Sequence, residues 1–177
     1  MWLGLSLFYV GAVLFLNGLW MLGKIADKEI WVINIFTGVV SLCIGLASIF
    51  GPTADAASVK NGALTLLFAF TYLWVAFNRF SGADGRGLGW FSLFIAITAV
   101  PVALETLTSA QTGLDWWMGI NWSAWAVLWG LFFVLLALKK NIERPTGGLR
   151  IVQGVLTGWL PGSLILAERV IYPSEAL

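Results

Sequence analysis

The sequence predicts an all-α integral membrane protein of six transmembrane helices, paired as three helix hairpins. Three observations predict it. Charged residues make up only 11% of the 177 positions, against roughly 25% in soluble domains. Apolar residues reach 59% and gather into six long runs, each close to the roughly 20 residues that carry a helix across a bilayer core. The charges cluster between those runs or at their ends, and none lies near the middle of one.

The first run, at 2–22, lacks the basic start and the small-residue cleavage site of a signal peptide, so it reads as a span. Its Gly4, Gly11 and Gly18 recur every seven residues. The second, at 30–50, carries Gly38 and Gly45 beside Ser41 and Ser48. It also holds the sole cysteine, Cys43, a packing residue with no intrachain partner for a disulfide. The third, at 61–79, contains Phe68 and Tyr72, one helical turn apart. The fourth, at 89–107, contains Pro101 and ends near Glu105. The fifth, at 116–138, places Trp122, Trp125 and Trp129 on one face over ~10 Å of depth. The sixth, at 149–171, has a doubled GxxxG pattern in Gly154, Gly158 and Gly162, with Pro161 inside it. Such small residues let helix backbones approach closely in lipid, where apolar burial gives no preference for one neighbour over another.

Connections are short throughout, which makes 1–177 a single transmembrane domain with no room for a globular module. The links between runs 1 and 2, 3 and 4, and 5 and 6 are tight, so those runs are expected to form the three hairpins. Ile97-Thr98-Ala99-Val100-Pro101 and Leu156-Thr157-Gly158-Trp159-Leu160-Pro161 echo each other, which suggests a hairpin repeat. Lys24, Lys28, Arg79, Arg86, Lys139, Lys140, Arg144 and Arg150 fall on one side of the predicted bundle, and only Lys60 and Arg169 on the other. The positive-inside rule therefore sets both termini outside the cytoplasm. Trp20, Trp31 and Trp90 on one face, with Trp2, Trp116 and Trp117 on the other, fit interfacial belts.

No Asp, Glu, Lys or Arg lies near the middle of a run. Intramembrane ionisable groups usually mark ion pathways and proton relays, so pumps, ion channels and most ion-coupled carriers are disfavoured. Glu105 is a candidate mouth residue. The chain contains no histidine, which removes histidine metal sites, histidine acid–base catalysis and the side chain best suited to sensing mild acid. No metal or cofactor set is expected, and no nucleic-acid partner.

What remains at depth is neutral: Asn17, Asn34, Tyr72, Thr98, Gln153 and Thr157. Asparagine and glutamine in a membrane commonly bond a neighbouring helix. Alternatively, Gln153 and Thr157, on one face of the sixth helix, offer acceptors to a solute. Pro161 and Pro101 cannot donate to the carbonyls of Thr157 and Ile97, which must find other partners. The tryptophan ladder either fills core, faces lipid, or forms the wall of a narrow path with Phe68 and Tyr72 opposite. Taking a bare amide out of water costs roughly 2–7 kcal/mol, which a few fixed neutral groups can offset.

Five blocks in order resemble the amide/urea channel family: GLSLFYVGAVLFLNG at 4–18, LLFAFTYLWVAFNRF at 66–80, WFSLFIAITAVPVAL at 90–104, DWWMGINWSAWAVLW at 115–129 and VQGVLTGWLPG at 152–162. The resemblance implies a homohexamer in the bacterial inner membrane, each protomer holding its own pore inside three helix hairpins. It implies a passive channel for short aliphatic amides and urea, with a functional link to a cytoplasmic amidase. The implied pore-lining residues are Leu3, Leu7, Val10, Leu14 and Asn17, Phe68 and Tyr72, Trp117, Trp122, Trp125, Leu128 and Trp129, to which the polar face of the sixth helix adds Gln153 and Thr157 as candidates. The family's acid-activated urea channel has a glutamate where this chain has Gln153. It also has a long histidine-bearing loop where this chain has only Gly51 to Lys60. Those departures favour the amide-channel branch without histidine-based acid gating. A proton-coupled carrier and a non-transporting assembly subunit stand as the alternatives.

Overall fold

The computed structural model describes residues 1–168; Arg169 and the end of the predicted sixth run lie outside the described residues. Six helices are long and apolar enough to cross a membrane: α1 Trp2–Met21, α2 Asp27–Phe50, α3 Ala56–Ser81, α4 Arg86–Thr108, α5 Gly113–Ala137 and α6 Glu143–Leu166.

Most of these spans begin before the apolar stretches, and in α3 and α5 a capped turn carries the helix into the interface. Asp55 accepts from the Ser58 N–H, and the Ser58 hydroxyl accepts from the Asp55 N–H, starting α3. Thr112 and Asp115 do the same for α5. Reciprocal pairs of this kind satisfy two donors that a helix start would otherwise leave open. α6 begins six residues earlier than predicted. Pro145 is tolerated in its first turn, where the missing N–H would have had no helical acceptor.

The hairpin expectation is corrected in its pairing. The intimate pairs are α2 with α3, α4 with α5, and α6 with α1, so two pairs are joined by the less basic connections and the third by no connection at all. Glycine register decides this. A Cβ on Gly11 would sit 2.2 Å from the Trp159 backbone N, and one on Gly158 would sit 2.5 Å from the Gly11 Cα. Gly45 and Gly62 meet in the same way between α2 and α3, each facing the other's carbonyl. Gly119 of α5 takes the Leu107 side chain of α4. Short loops place consecutive helices nearby; small residues settle which neighbours touch. Under this pairing α4 and α6 occupy equivalent places, in line with their sequence echo.

Asn17 and Asn34 exchange hydrogen bonds of 2.9 and 2.7 Å in the fully buried contact of α1 with α2. Inward from the three pairs, α1, α3 and α5 supply most of an aromatic and aliphatic core that includes Leu14, Phe68, Tyr72, Trp125 and Trp129.

Candidate functional site: an axial path closed by aromatic rings

Three cavities follow one another along the inside of the bundle. The first, about 560 Å³, opens at the end holding Trp2 and is lined by Leu3, Leu7, Val10, Phe68, Trp122 and Trp125, among others. The third, about 340 Å³, opens at the basic end beside Asp27, Asn78, Arg79, Glu143 and Arg150. Between them lies a chamber of about 20 Å³ enclosed by Leu14, Phe68, Thr71, Tyr72, Trp125, Leu128, Trp129, Phe132 and Arg150. That is room for roughly one water molecule. The chamber shares Phe68 and Trp125 with the first cavity, and Thr71, Phe132 and Arg150 with the third. One path is thus interrupted by a short plug.

Rings form the plug. The Phe68 centroid lies 5.9, 5.0 and 4.7 Å from those of Trp122, Trp125 and Trp129. All four rings are buried. The one-face spacing of the ladder turns the indoles inward, with Trp122 and Trp125 5.2 Å apart and nearly perpendicular. Such edge-to-face contacts add about 0.5–1.5 kcal/mol each beyond area burial.

Four of the expected lining residues serve other contacts. Asn17 is spent on Asn34. The Trp117 indole donates to the Leu156 carbonyl at 3.1 Å, off the path. The Gln153 amide donates to the Ala124 carbonyl at 3.0 Å. Thr157 donates to the Gln153 carbonyl at 2.7 Å and accepts from the Trp125 indole at 2.9 Å. Trp125 therefore spends its donor on α6, and the expected row of acceptors opposite free indoles does not form there. The cause is backbone chemistry. Pro161 offers no N–H to the Thr157 carbonyl, α6 widens into a π turn over Gly154–Trp159, and Asn121 donates to that carbonyl at 3.2 Å. Polar side chains at this depth sew α5 to α6. Trp122, Trp129 and Tyr72 have no hydrogen-bond partner among the described residues, so their donors are among those left to the path. The remaining expected residues, Leu3, Leu7, Val10, Leu14, Phe68, Tyr72, Trp122, Trp125, Leu128 and Trp129, do border the cavities.

The fit to known proteins is decisive at this point, because a family model described as the AmiS/UreI family transporter matches residues 2–169. The chain belongs to that family. It is thereby a transporter of the AmiS/UreI type and not an enzyme. A putative amidate substrates transporter protein of Mycolicibacterium smegmatis is 39% identical over 93% of this chain and 76% of its own length. The acid-activated urea channel of Helicobacter pylori strain 26695 is 37% identical over 94% of this chain and 98% of its own length. In three dimensions, a cryo-EM structure of the Helicobacter pylori urea channel in the closed state superposes with a TM-score of 0.84 at 37% identity, covering 96% of this chain and all of that one. A crystal structure of the same channel gives 0.83 at 38% identity, covering 96% of this chain and 99% of that one.

Two charged features of this AmiS/UreI chain complete the site. Glu105 does line the first cavity, where Lys60 holds its carboxylate at 2.6 Å across the mouth. Arg150, grouped in sequence with the basic connection, instead sits in the second turn of α6 and is 2% exposed. Its guanidinium lies 4.6 Å from the Phe132 ring centre. A signal for it existed: Thr146, Arg150, Gln153 and Thr157 share one helical stripe, and all four are buried.

Proposed function

We propose that this chain is a passive channel for short aliphatic amides and urea, a single channel domain whose axial path replaces water around a neutral guest. The observation that carries the reading is the line of two open cavities and one ring-closed chamber, whose narrow middle is walled mainly by aromatic and aliphatic side chains while the two mouths hold the polar and charged ones. A mostly apolar lining with scattered hydrogen-bonding groups binds a neutral solute weakly enough to release it. The names of the relatives, one for amidates and one for urea, support the permeant class.

Ten residues form the proposed lining: Leu3, Leu7, Val10, Leu14, Phe68, Tyr72, Trp122, Trp125, Leu128 and Trp129. The concentration of lysine and arginine at one end of the bundle supports an inner-membrane orientation with that end cytoplasmic. A homohexamer and a supply role for a cytoplasmic amidase complete the proposal, together with operation without histidine-based acid gating, since the chain has no histidine. Pairing of Glu105 with Lys60 speaks against that carboxylate as a coupled proton carrier.

The test is flux of urea, acetamide and a charged control into proteoliposomes. The proposal expects neutral-solute flux linear in the gradient and indifferent to protonophores. Saturable, protonophore-sensitive accumulation refutes it in favour of the coupled carrier.

A further inference from the structure

Among the described residues, Arg150 is the one arginine that the fold buries almost completely. Its neighbours do not neutralise it. Among the described residues it forms no ion pair, its Nε is buried without a partner, and its one hydrogen-bond-range contact is from Nη1 to the Met21 Sδ at 3.8 Å. The carboxylates on the adjoining cavity are engaged or remote: Asp27 accepts from Trp20 at 2.5 Å and from Arg79 at 3.3 Å, and Glu143 lies two turns away at the start of α6. A buried guanidinium normally has a carboxylate beside it, because stripping a charge of water is costly. An ionisable group kept inside a membrane without such a partner marks function by default.

Its position shows what it serves. Arg150 borders both the ring-closed chamber and the basic-end cavity, so it stands at the narrow junction between them. Beside it are Tyr72 and Thr71 on α3 and Phe132 on α5, and farther down the cavity Asn78, which has no hydrogen-bond partner among the described residues. A guanidinium offers five N–H donors and no acceptor, so any group it recruits must present an oxygen.

We propose that Arg150 is the charge filter of the path, taking the carbonyl oxygen of a neutral solute while turning back cations. The inference rests on the channel reading above. A second positive charge brought to ~5 Å is disfavoured by roughly 100-fold or more at an effective dielectric near ~20. Fixed positive groups exclude protons and cations from other neutral-solute pores in this way. The same donors hold a carboxylate more tightly than a carbonyl, so a short carboxylate competes with the permeant at this junction.

The experiment compares urea with guanidinium, its planar charged counterpart, in proteoliposomes holding the full chain or its R150Q and R150K variants. The wild type is expected to pass urea and reject guanidinium. R150Q admits guanidinium, lowering the urea-to-guanidinium ratio at least tenfold, and R150K keeps the ratio near wild type. A ratio unchanged in a folded, urea-conducting R150Q overturns the filter while leaving the channel reading intact; no urea flux in the wild type overturns both. Malonate on both faces of wild-type vesicles gives a measurement independent of any variant's folding. Reduced urea flux supports the site, and flux unaffected at tens of millimolar malonate overturns it.

Discussion

Truncating Phe68 to alanine removes the central ring of the plug and leaves the helix that carries it. In the closed arrangement that ring contacts three indoles at 4.7 to 5.9 Å. At about 0.5 kcal/mol per aromatic pair, the low end of the usual range, the three contacts together hold the closed geometry by about 1.5 kcal/mol. A guest that must displace the ring pays that amount at the barrier, so its loss accelerates passage about tenfold. Size discrimination falls as well, because the first cavity and the small chamber join where the ring had been. The assay is stopped-flow light scattering on proteoliposomes with acetamide and butyramide, normalised to protein that elutes as wild type does. Acetamide flux should rise about tenfold and butyramide by more. Unchanged or lower flux from well-folded protein would show that Phe68 is not the barrier.

Trp129→Ala should change permeability or selectivity far more than Trp90→Ala in the same flux assay, because Trp129 is 5% exposed beside the chamber and Trp90 is 58% exposed on the outer surface; equal effects would separate the ladder from the path. Gly11→Ala places a methyl 2.2 Å from the Trp159 backbone N, where ordinary contact is 3.4–4 Å, and should lower stability by about 1–3 kcal/mol, read as an earlier thermal transition in detergent. Hydrogen bonding to the Ser58 N–H holds the Asp55 carboxyl below its ordinary value. A depressed folded pKa gives stability that is present above the unfolded value, near ~4, and lost as pH falls through the folded one. Protection of the first α3 amides, taken as exchange relative to the intrinsic rate at each pH, should therefore fall below about pH 4 in the wild type, and Asp55→Asn should remove that fall.

The spans were legible because a bilayer tolerates few charges, and six apolar runs leave little freedom. Their ends were less so: α6 starts at Glu143 because Pro145 fits a first turn, which an apolar count ignores. The partners of each helix stayed hidden, since loop length constrains who is near and glycine register decides who touches. Both patterns were in the sequence, but the match of Gly11 to Gly154 and Gly158 spans most of the chain. At the site, apolar and aromatic residues were easier to place than polar ones. The one-face spacing of the tryptophan ladder puts all three indoles on the buried side of α5, whereas Asn17, Gln153 and Thr157 each had a choice between a solute and a helix contact, and took the helix contact. Arg150 escaped notice because it follows a run of basic loop residues; only its place on the stripe with Thr146, Gln153 and Thr157 distinguishes it.

The apposition of α6 with α1 bears on how the chain is made. The helix synthesised first among the six exposes a glycine face that only the last can cover, so the bundle stays an open ring until α6 has entered the bilayer. Closure then comes late and all at once, and removing α6 unseats α1 rather than trimming an edge. The seam also makes the order of helices negotiable: a short linker from the end of α6 to the start of α1, with new ends cut in the connection between α3 and α4, keeps every intimate pair intact and should still assemble.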